Sequence, residues 1–278
     1  MIQTIRSIAS QLRAVYPADE AEALAWWIAE ETTGLSRTQL LCGCKDTTFF
    51  PNVQEIIARL LRFEPIQYIF EHTLWAGLDL KVTPATLIPR PETAELVERI
   101  QSTEYRIQTD HVFRVLDIGT GSGCIAIALK KRHPEWSITG IDVSAEAIEV
   151  ANENAHRNDV EVDFQQADIF HLQSPIANLH YDIVVSNPPY ICEKEKGTMR
   201  RNVLEYEPAS ALFVPDEDPL LFYRQIASLH AGRWLFFEIN EAYSRELAEM
   251  LNQMGYTDIQ LTKDSYDKPR IIQARSTR

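Results

Sequence analysis

The chain has 278 residues, 45% of them hydrophobic, enough to fill a large core with a small one beside it. Its net charge of −13 and pI near 5.0 argue against a broad phosphate-binding surface, because nucleic-acid affinity rests on Lys and Arg, and they favour a partner that is basic around its reactive loop. Residues 1–6 lack the apolar core of a signal peptide, no apolar run reaches transmembrane length, and four scattered cysteines make no disulfide framework, so a cytoplasmic protein without membrane contact is expected.

Residues 1–72 read as a helical bundle. Ile5, Ile8, Leu12 and Val15 recur at helical spacing, and a second helix opens after Pro17, carries Leu24, Trp27 and Ile28, and stops at Gly34. Ser36 is placed to cap a short third helix. Pro51 is placed to open a fourth, which carries Val53, Ile56, Ile57 and Leu60. Cys42-Gly43-Cys44 is half of a metal motif at most, since no second cysteine pair or histidine cluster follows, and no metal is expected.

Residues 73–84 alternate around Gly77 and read as a hairpin connector, 73–75 against 78–82. The strap Leu87-Ile88-Pro89-Arg90-Pro91-Glu92-Thr93 is stiffened by its prolines and leads into a helix over 94–100. It reads equally well as a plain linker and as a segment carrying Arg90 and Glu92 to a site.

From residue 112 strands and helices alternate, the pattern of a mostly parallel, doubly wound α/β sheet. The first strand (113–118) runs into Gly119-Thr120-Gly121-Ser122-Gly123 and a helix over 124–131, with Asp117 just before the loop. Glycines at such a turn let the backbone approach a ligand. Cys124 stands where a dinucleotide fingerprint wants glycine or alanine, which points to an adenosyl cofactor instead. The second strand ends in Asp142, an acid placed to accept hydrogen bonds from two ribose hydroxyls, with Val143 after it. The third (160–165) leads to Asp168-Ile169, which suits an adenine, or equally a helix cap and a core residue.

The fourth strand delivers Asn187-Pro188-Pro189-Tyr190. Two prolines forbid the strand from continuing, so Asn187 is the last side chain the sheet holds, at the carboxyl end where open α/β sheets bind ligands. Its side-chain oxygen and the Pro188 carbonyl are then free to accept the two protons of one planar NH2 group, with Tyr190 stacked on it. Residues 191–208 follow, a basic insertion with Lys194, Lys196, Arg200 and Arg201 that reads as a solvated loop or as a contact with a macromolecular substrate. Helices over 220–229 and 241–251 and strands over 234–238, 257–261 and 270–274 complete the pattern.

The combination of Asp117-Ile118-Gly119-Thr120-Gly121-Ser122-Gly123, Asp142 and Asn187-Pro188-Pro189-Tyr190 resembles class I S-adenosylmethionine methyltransferases that act on a planar nitrogen. With the 87–93 strap, Glu64-Pro65-Ile66 and Glu205-Tyr206-Glu207-Pro208-Ala209, the chain is similar to the PrmC/HemK family of protein-(glutamine-N5) methyltransferases over nearly its whole length. That resemblance implies S-adenosylmethionine as cofactor, S-adenosylhomocysteine as product, and a glutamine-bearing loop of class 1 peptide-chain release factors as substrate. It implies residues 85–278 as the methyltransferase domain, residues 1–72 as a substrate-docking module, no stable nucleic-acid binding, and a monomer. It carries cofactor contacts onto Asp117, Gly119, Thr120, Gly121, Ser122, Gly123, Asp142, Val143, Asp168, Ile169 and Asn187. Catalysis falls to Asn187, Pro188 and Tyr190, and substrate contact to Asn187, Pro188, Pro189, Tyr190, Arg90 and Glu92. The chain departs from the pattern at Phe63, Glu71 and Asn240, where glycines are expected. An adenine-N6 DNA or RNA methyltransferase is the alternative, using the same motif on a flipped base, and a noncatalytic module of the same fold is a third reading.

Overall fold

The computed structural model describes residues 2–42, 52–102, 112–172, 180–264 and 267–277; Gly43, Cys44 and Pro51, singled out above, lie outside them. The chain divides into two compact units, Met1–Glu71 with Arg200–Tyr206, and His72–Met199 with Glu207–Arg278.

In the first unit α1 (Ile2–Leu12) buries Ile5, Ile8, Ala9 and Leu12, the stripe of an amphipathic helix. The next helix, α2 (Ala18–Thr33), starts after Pro17 and ends at Gly34, whose φ of 67° is the left-handed stop glycine adopts freely. Ser36 and Gln39 cap α3 (Arg37–Leu41) reciprocally. Then come α4 (Val53–Leu60), entered through Asn52, and α5 (Ile66–Phe70) after Pro65. Leu12, Ile28, Leu40 and Leu60 meet in one core. Phe63 and Glu71 hold φ of 67° and 57°, so both make the turn a glycine makes, at about 1 kcal/mol each. Phe63 offsets its strain by packing on Tyr16 and lying under the Arg201 guanidinium, 4.4 Å from its ring centre.

The second unit opens with β1 (His72–Trp75) and β2 (Leu78–Lys81), joined through Ala76 and Gly77 at φ of 49° and 81°. Two positive φ values in a two-residue loop match the twist of the flanking strands. α6 (Pro91–Ser102) takes in the last three residues of the strap, then come β3 (Arg114–Ile118), α7 (Cys124–Arg132), β4 (Ser137–Asp142), α8 (Ala145–Arg157), β5 (Asp163–Gln166) and β6 (Tyr181–Ser186). Short β7 (Ile191–Cys192) pairs with β8 (Phe213–Val214), with α9 (Arg201–Tyr206) between them in sequence. The chain ends in α10 (Leu221–Ser228), β9 (Gly232–Glu238), α11 (Ser244–Gln253), β10 (Tyr256–Lys263) and β11 (Pro269–Ser276).

Seven strands form one sheet in the order β10-β11-β9-β6-β3-β4-β5, parallel from β9 to β5, with β11 antiparallel to both its neighbours. Alternate residues face opposite cores. Val115, Ile183, Val185 and Phe236 pack with α6, α7 and the hairpin, and Leu116, Val184, Leu235 and Phe237 with α10 and α11. Because β4 and β5 lie to one side of β3 and β6 to the other, the order reverses between β3 and β6. Ile118 pairs with Ser186 at that point, so the loops leaving both strands open side by side into a crevice.

The hairpin is fastened by two asparagines one turn apart, Asn154 on α8 and Asn158 at its C-cap. Asn154 accepts from Lys81 N–H and donates to Lys81 O at 2.6 and 2.9 Å, and Asn158 does the same for Asp79 at 3.3 and 2.9 Å. These amides stand in for a neighbouring strand at the free edge of β2. Asn154 Nδ2 also donates to Ser122 O at 2.8 Å, tying the glycine loop to the same helix.

Candidate active site

A cavity of about 440 Å3 opens at the carboxyl ends of β3, β4 and β6. The glycine loop forms its floor. Gly119 and Thr120 donate to Ile141 O at 2.8 and 2.9 Å, which presses the loop across the end of β4. A Cβ on Gly119 or Gly121 would meet nothing within 4 Å, so the loop's open side faces free space. On Gly123 it would meet Phe164, Ile127 and Ala151 at 2.9–3.2 Å, so that glycine is there for close packing of α7 and does not line the cavity. Gly140, which sequence reading did not single out, clears the same Phe164 ring from β4.

Asp142 lines the cavity. Its Oδ2 accepts from Gly121 N–H at 2.9 Å and its Oδ1 from Ser144 N–H at 3.0 Å, which fixes the carboxylate and leaves lone pairs for two further donors. Asp117 lies beneath the loop, fully buried, and is not on the cavity wall. Thr120 Oγ1 donates to its Oδ2 at 2.6 Å, while Oδ1 is buried with no hydrogen bond of good geometry from a described residue. Burial pushes the Asp117 carboxyl up to about 7, against the pull of the Thr120 hydroxyl.

Val143, Asp168 and Ile169 line one side of the cavity, joined by Phe170 and Phe222, whose rings meet edge to face at 5.5 Å. Asp168 accepts from His171 Nδ1 at 2.8 Å and from Phe170 N–H at 2.9 Å, and these two bonds, the His171 one foremost, hold its carboxyl below the usual range. It therefore closes its own turn as well as reaching the cavity. Phe170 follows Asp168 and Ile169 in the stretch expected at an adenine, whereas Phe222 escaped sequence reading because only the packing of α10 under the sheet brings it to the cavity.

Asn187, Pro188 and Pro189 line the opposite side, with Arg90 and Thr93 facing them. Asn187 Nδ2 donates to Thr93 Oγ1 at 3.2 Å, and Thr93 Oγ1 donates to Glu238 Oε2 at 2.6 Å. The Pro188 carbonyl accepts no hydrogen bond from a described residue. Tyr190 departs from the expected stacking position. Its ring packs against the α10–α11 core, its hydroxyl donates to Glu238 Oε1 at 3.0 Å, and it is absent from the cavity wall. Burial, with the Glu238 charge beside it, raises the Tyr190 hydroxyl, so it stays a donor. Glu238 is buried at the tip of β9 and raised by that burial, against the Thr93 and Tyr190 bonds.

Glu92 is in the first turn of α6, off the cavity wall. Arg90 is on the wall, but its Nη2 pairs with Glu207 at 2.5 Å. The insertion's cations are also engaged: Lys196 with Glu193, Arg201 with Glu205 at 2.7 Å and Arg200 with Glu20 at 3.4 Å, while Lys194 lies 5.8 Å from the Tyr243 ring centre. Their charge is partly answered within the chain, which weakens the reading of a basic docking loop. Asn240, where a glycine was expected, has φ of −73° and uses its side chain instead, accepting from Ala242 N–H at 3.0 Å and donating to Tyr190 O at 3.1 Å. That substitution braces the motif.

Among the described residues no group of three or more His, Cys, Asp or Glu is arranged to hold a metal, and no helix is long and apolar enough to cross a membrane. A cavity with an open glycine floor and a fixed acid at the β4 tip has the donor and acceptor set of a nucleoside site.

Residues 93–206 match the family model of the methyltransferase small domain, and residues 3–70 that of the PrmC N-terminal domain. A release factor glutamine methyltransferase of Bacteroides thetaiotaomicron is 42% identical, covering 96% of this chain and 97% of the relative. The chain belongs to the release factor glutamine methyltransferase family. A second member, from Flavobacterium psychrophilum, is 40% identical over 94% of each chain. Among solved structures the human methyltransferase 10 domain containing protein aligns with a TM-score of 0.51 and 18% identity, covering 81% of this chain and 98% of that one. That likeness shows the methyltransferase fold. The chain is a methyltransferase, and Asn187, Pro188, Pro189, the glycine loop and Asp142 meet at the switch-point crevice between β3 and β6.

Proposed function

We propose that this enzyme transfers a methyl group from S-adenosylmethionine to the side-chain amide nitrogen of a glutamine in class 1 peptide-chain release factors. Family membership supports the substrate, and one observation carries the chemistry. Asn187 turns its NH2 toward Thr93, so its Oδ1 remains as an acceptor at the wall of a nucleoside-type cavity, which also carries Pro188, whose carbonyl accepts no hydrogen bond from a described residue.

S-adenosylmethionine, when bound, supplies an electrophilic methyl on its sulfonium sulfur. Asp142 would hold the ribose hydroxyls, the Gly119–Gly121 floor would admit the cofactor's backbone-facing side, and Val143, Asp168 and Ile169 would flank the adenine. A glutamine nitrogen is a poor nucleophile because its lone pair is delocalised into the carbonyl, the resonance that flattens a peptide. Asn187 Oδ1 and the Pro188 carbonyl each accept one of its protons, which aims the nitrogen and stabilises the positive charge it gains. Neither is a strong base. Orientation and fixed dipoles supply the main effect, and the proton leaves to water after transfer. The helical unit is assigned to docking of the release factor, on the strength of its match to the PrmC N-terminal model.

Radiolabelled methyl transfer tests the reading, with purified release factor in one tube and DNA or ribosomal RNA in another. Label on a release-factor glutamine is expected, whereas label on adenine overturns the substrate. Asn187→Ala is expected to keep cofactor binding and lose transfer; unchanged turnover would refute the role of Asn187.

A further inference from the structure

We propose that Thr93, itself held by Glu238, sets which end of the Asn187 side-chain amide faces the substrate, making Thr93 and Glu238 positioning residues for methyl transfer. The inference rests on the reading that Asn187 Oδ1 accepts a proton of the substrate amide.

The two ends of an asparagine amide are nearly the same size, so packing does not choose between them and hydrogen bonding must. A threonine hydroxyl has one proton. In this site the 2.6 Å bond to Glu238 Oε2 takes it, since an ionised carboxylate only accepts. What Thr93 then offers Asn187, 3.2 Å away, is a lone pair. Only the Nδ2 end bonds to a lone pair. The amide is thereby locked with Oδ1 turned away from Thr93, and Oδ1 accepts no hydrogen bond from a described residue.

The lock holds while Glu238 is ionised. Tyr190 supports that state by donating to Oε1 at 3.0 Å, and its own proton stays in place. The charged and titratable groups facing Glu238 are Glu92 on α6, Tyr190 after β6, Arg270 on β11, Tyr223 on α10 and Cys124 on α7. If Glu238 takes a proton, it becomes a donor to Thr93, and the Thr93 proton is released toward Asn187. The Oδ1 end then turns to Thr93, and an NH2 group faces the substrate's NH2, donor against donor. Burial raises Glu238, which brings this change nearer to the working range.

The test uses the full chain. Thr93→Val keeps the shape and removes the hydroxyl; kcat is expected to fall roughly 10- to 100-fold, as for a small misplacement of a catalytic group. Affinity for S-adenosylmethionine, measured by calorimetry, is expected to hold. Thr93→Ser, which restores the hydroxyl, is expected to recover most of the rate. The parent's kcat should show an acid limb that Thr93→Ser keeps and Thr93→Val flattens, a change that a purely structural role would not produce. A Thr93→Val enzyme with parental kcat and acid limb overturns the proposal, as does a Thr93→Ser enzyme as slow as Thr93→Val. The Asn187 side-chain amide in a 15N NMR spectrum, assigned by its loss in Asn187→Ala, reads the same bond without turnover. Its protons should shift in Thr93→Val and titrate with Glu238 in the parent, and if they do neither, Thr93 does not hold the amide. If they do both while label goes to a substrate other than glutamine, the positioning stands and the glutamine reading fails.

Discussion

Arg90 Nη2 lies 2.5 Å from Oε1 of Glu207, whose side chain is fully buried. The other Glu207 oxygen accepts the Ile88 N–H at 3.2 Å, so one carboxylate holds the proline strap on both sides of Pro89. Removing one partner of a buried pair leaves the other unsatisfied. Glu207→Ala is therefore expected to cost about 2–3 kcal/mol in urea denaturation, at the low end because Arg90 keeps some water. Glu207→Gln, which retains an acceptor for Ile88, is expected to cost less.

Asp142 is fixed by two backbone N–H groups, Gly121 and Ser144, before any ligand arrives. Asp142→Ala removes that acceptor and two others for the ribose. Hydrogen bonds to a charged group contribute about 1.5–3 kcal/mol, so affinity for S-adenosylmethionine is expected to drop about 10- to 100-fold by calorimetry. An unaltered affinity would remove Asp142 from the site.

Two of the loop glycines, Gly119 and Gly123, are expected to separate by assay. Gly123→Ala drives a Cβ into Phe164, Ile127 and Ala151 from a backbone at φ 78°, and should lower stability by about 1–3 kcal/mol. Gly119→Ala meets no protein atom, so its stability cost is confined to the φ of 71°, about 1–2 kcal/mol. Its methyl projects into the free space of the loop, so cofactor affinity should fall instead.

Asp117 makes a pH-dependent contribution. Burial brings its carboxyl to about 7, above the unfolded value of about 3.9, so the folded chain holds this proton more tightly. The stability it contributes is full below about pH 4 and is lost as pH rises through about 7. Asp117→Asn carries no titrating group there. The stability of the variant relative to the parent is therefore expected to rise between pH 5 and pH 8 in the ligand-free protein, and a flat difference would show that water reaches the carboxyl.

Several features were legible because their causes are local. Gly34, Gly119, Gly121 and Gly123 all hold positive φ, and two prolines end β6 where backbone chemistry requires. Strands alternating with helices imply a parallel sheet with a switch point, and the Asn187 motif and glycine loop lie together there. Tyr190 was misplaced because an aromatic next to a motif suggests stacking, whereas the fold gives its hydroxyl a buried acceptor on β9. Asn240 looked like a lost glycine, and only its partners, Tyr190 O and Ala242 N–H, show what replaced the glycine.

By itself the sequence determined the chain order of the main-sheet strands, the positive φ of the glycines after β3 and the position of Asn187 at a strand end, since each follows from φ limits, missing N–H groups and side-chain periodicity. The tertiary structure decided which way Asn187 faces. Thr93 lies 94 residues before it and Glu238 lies 145 residues after Thr93. No local pattern links those three positions. The sheet brings them within hydrogen-bond reach, and there a single hydroxyl proton selects one of two equal-sized amide ends.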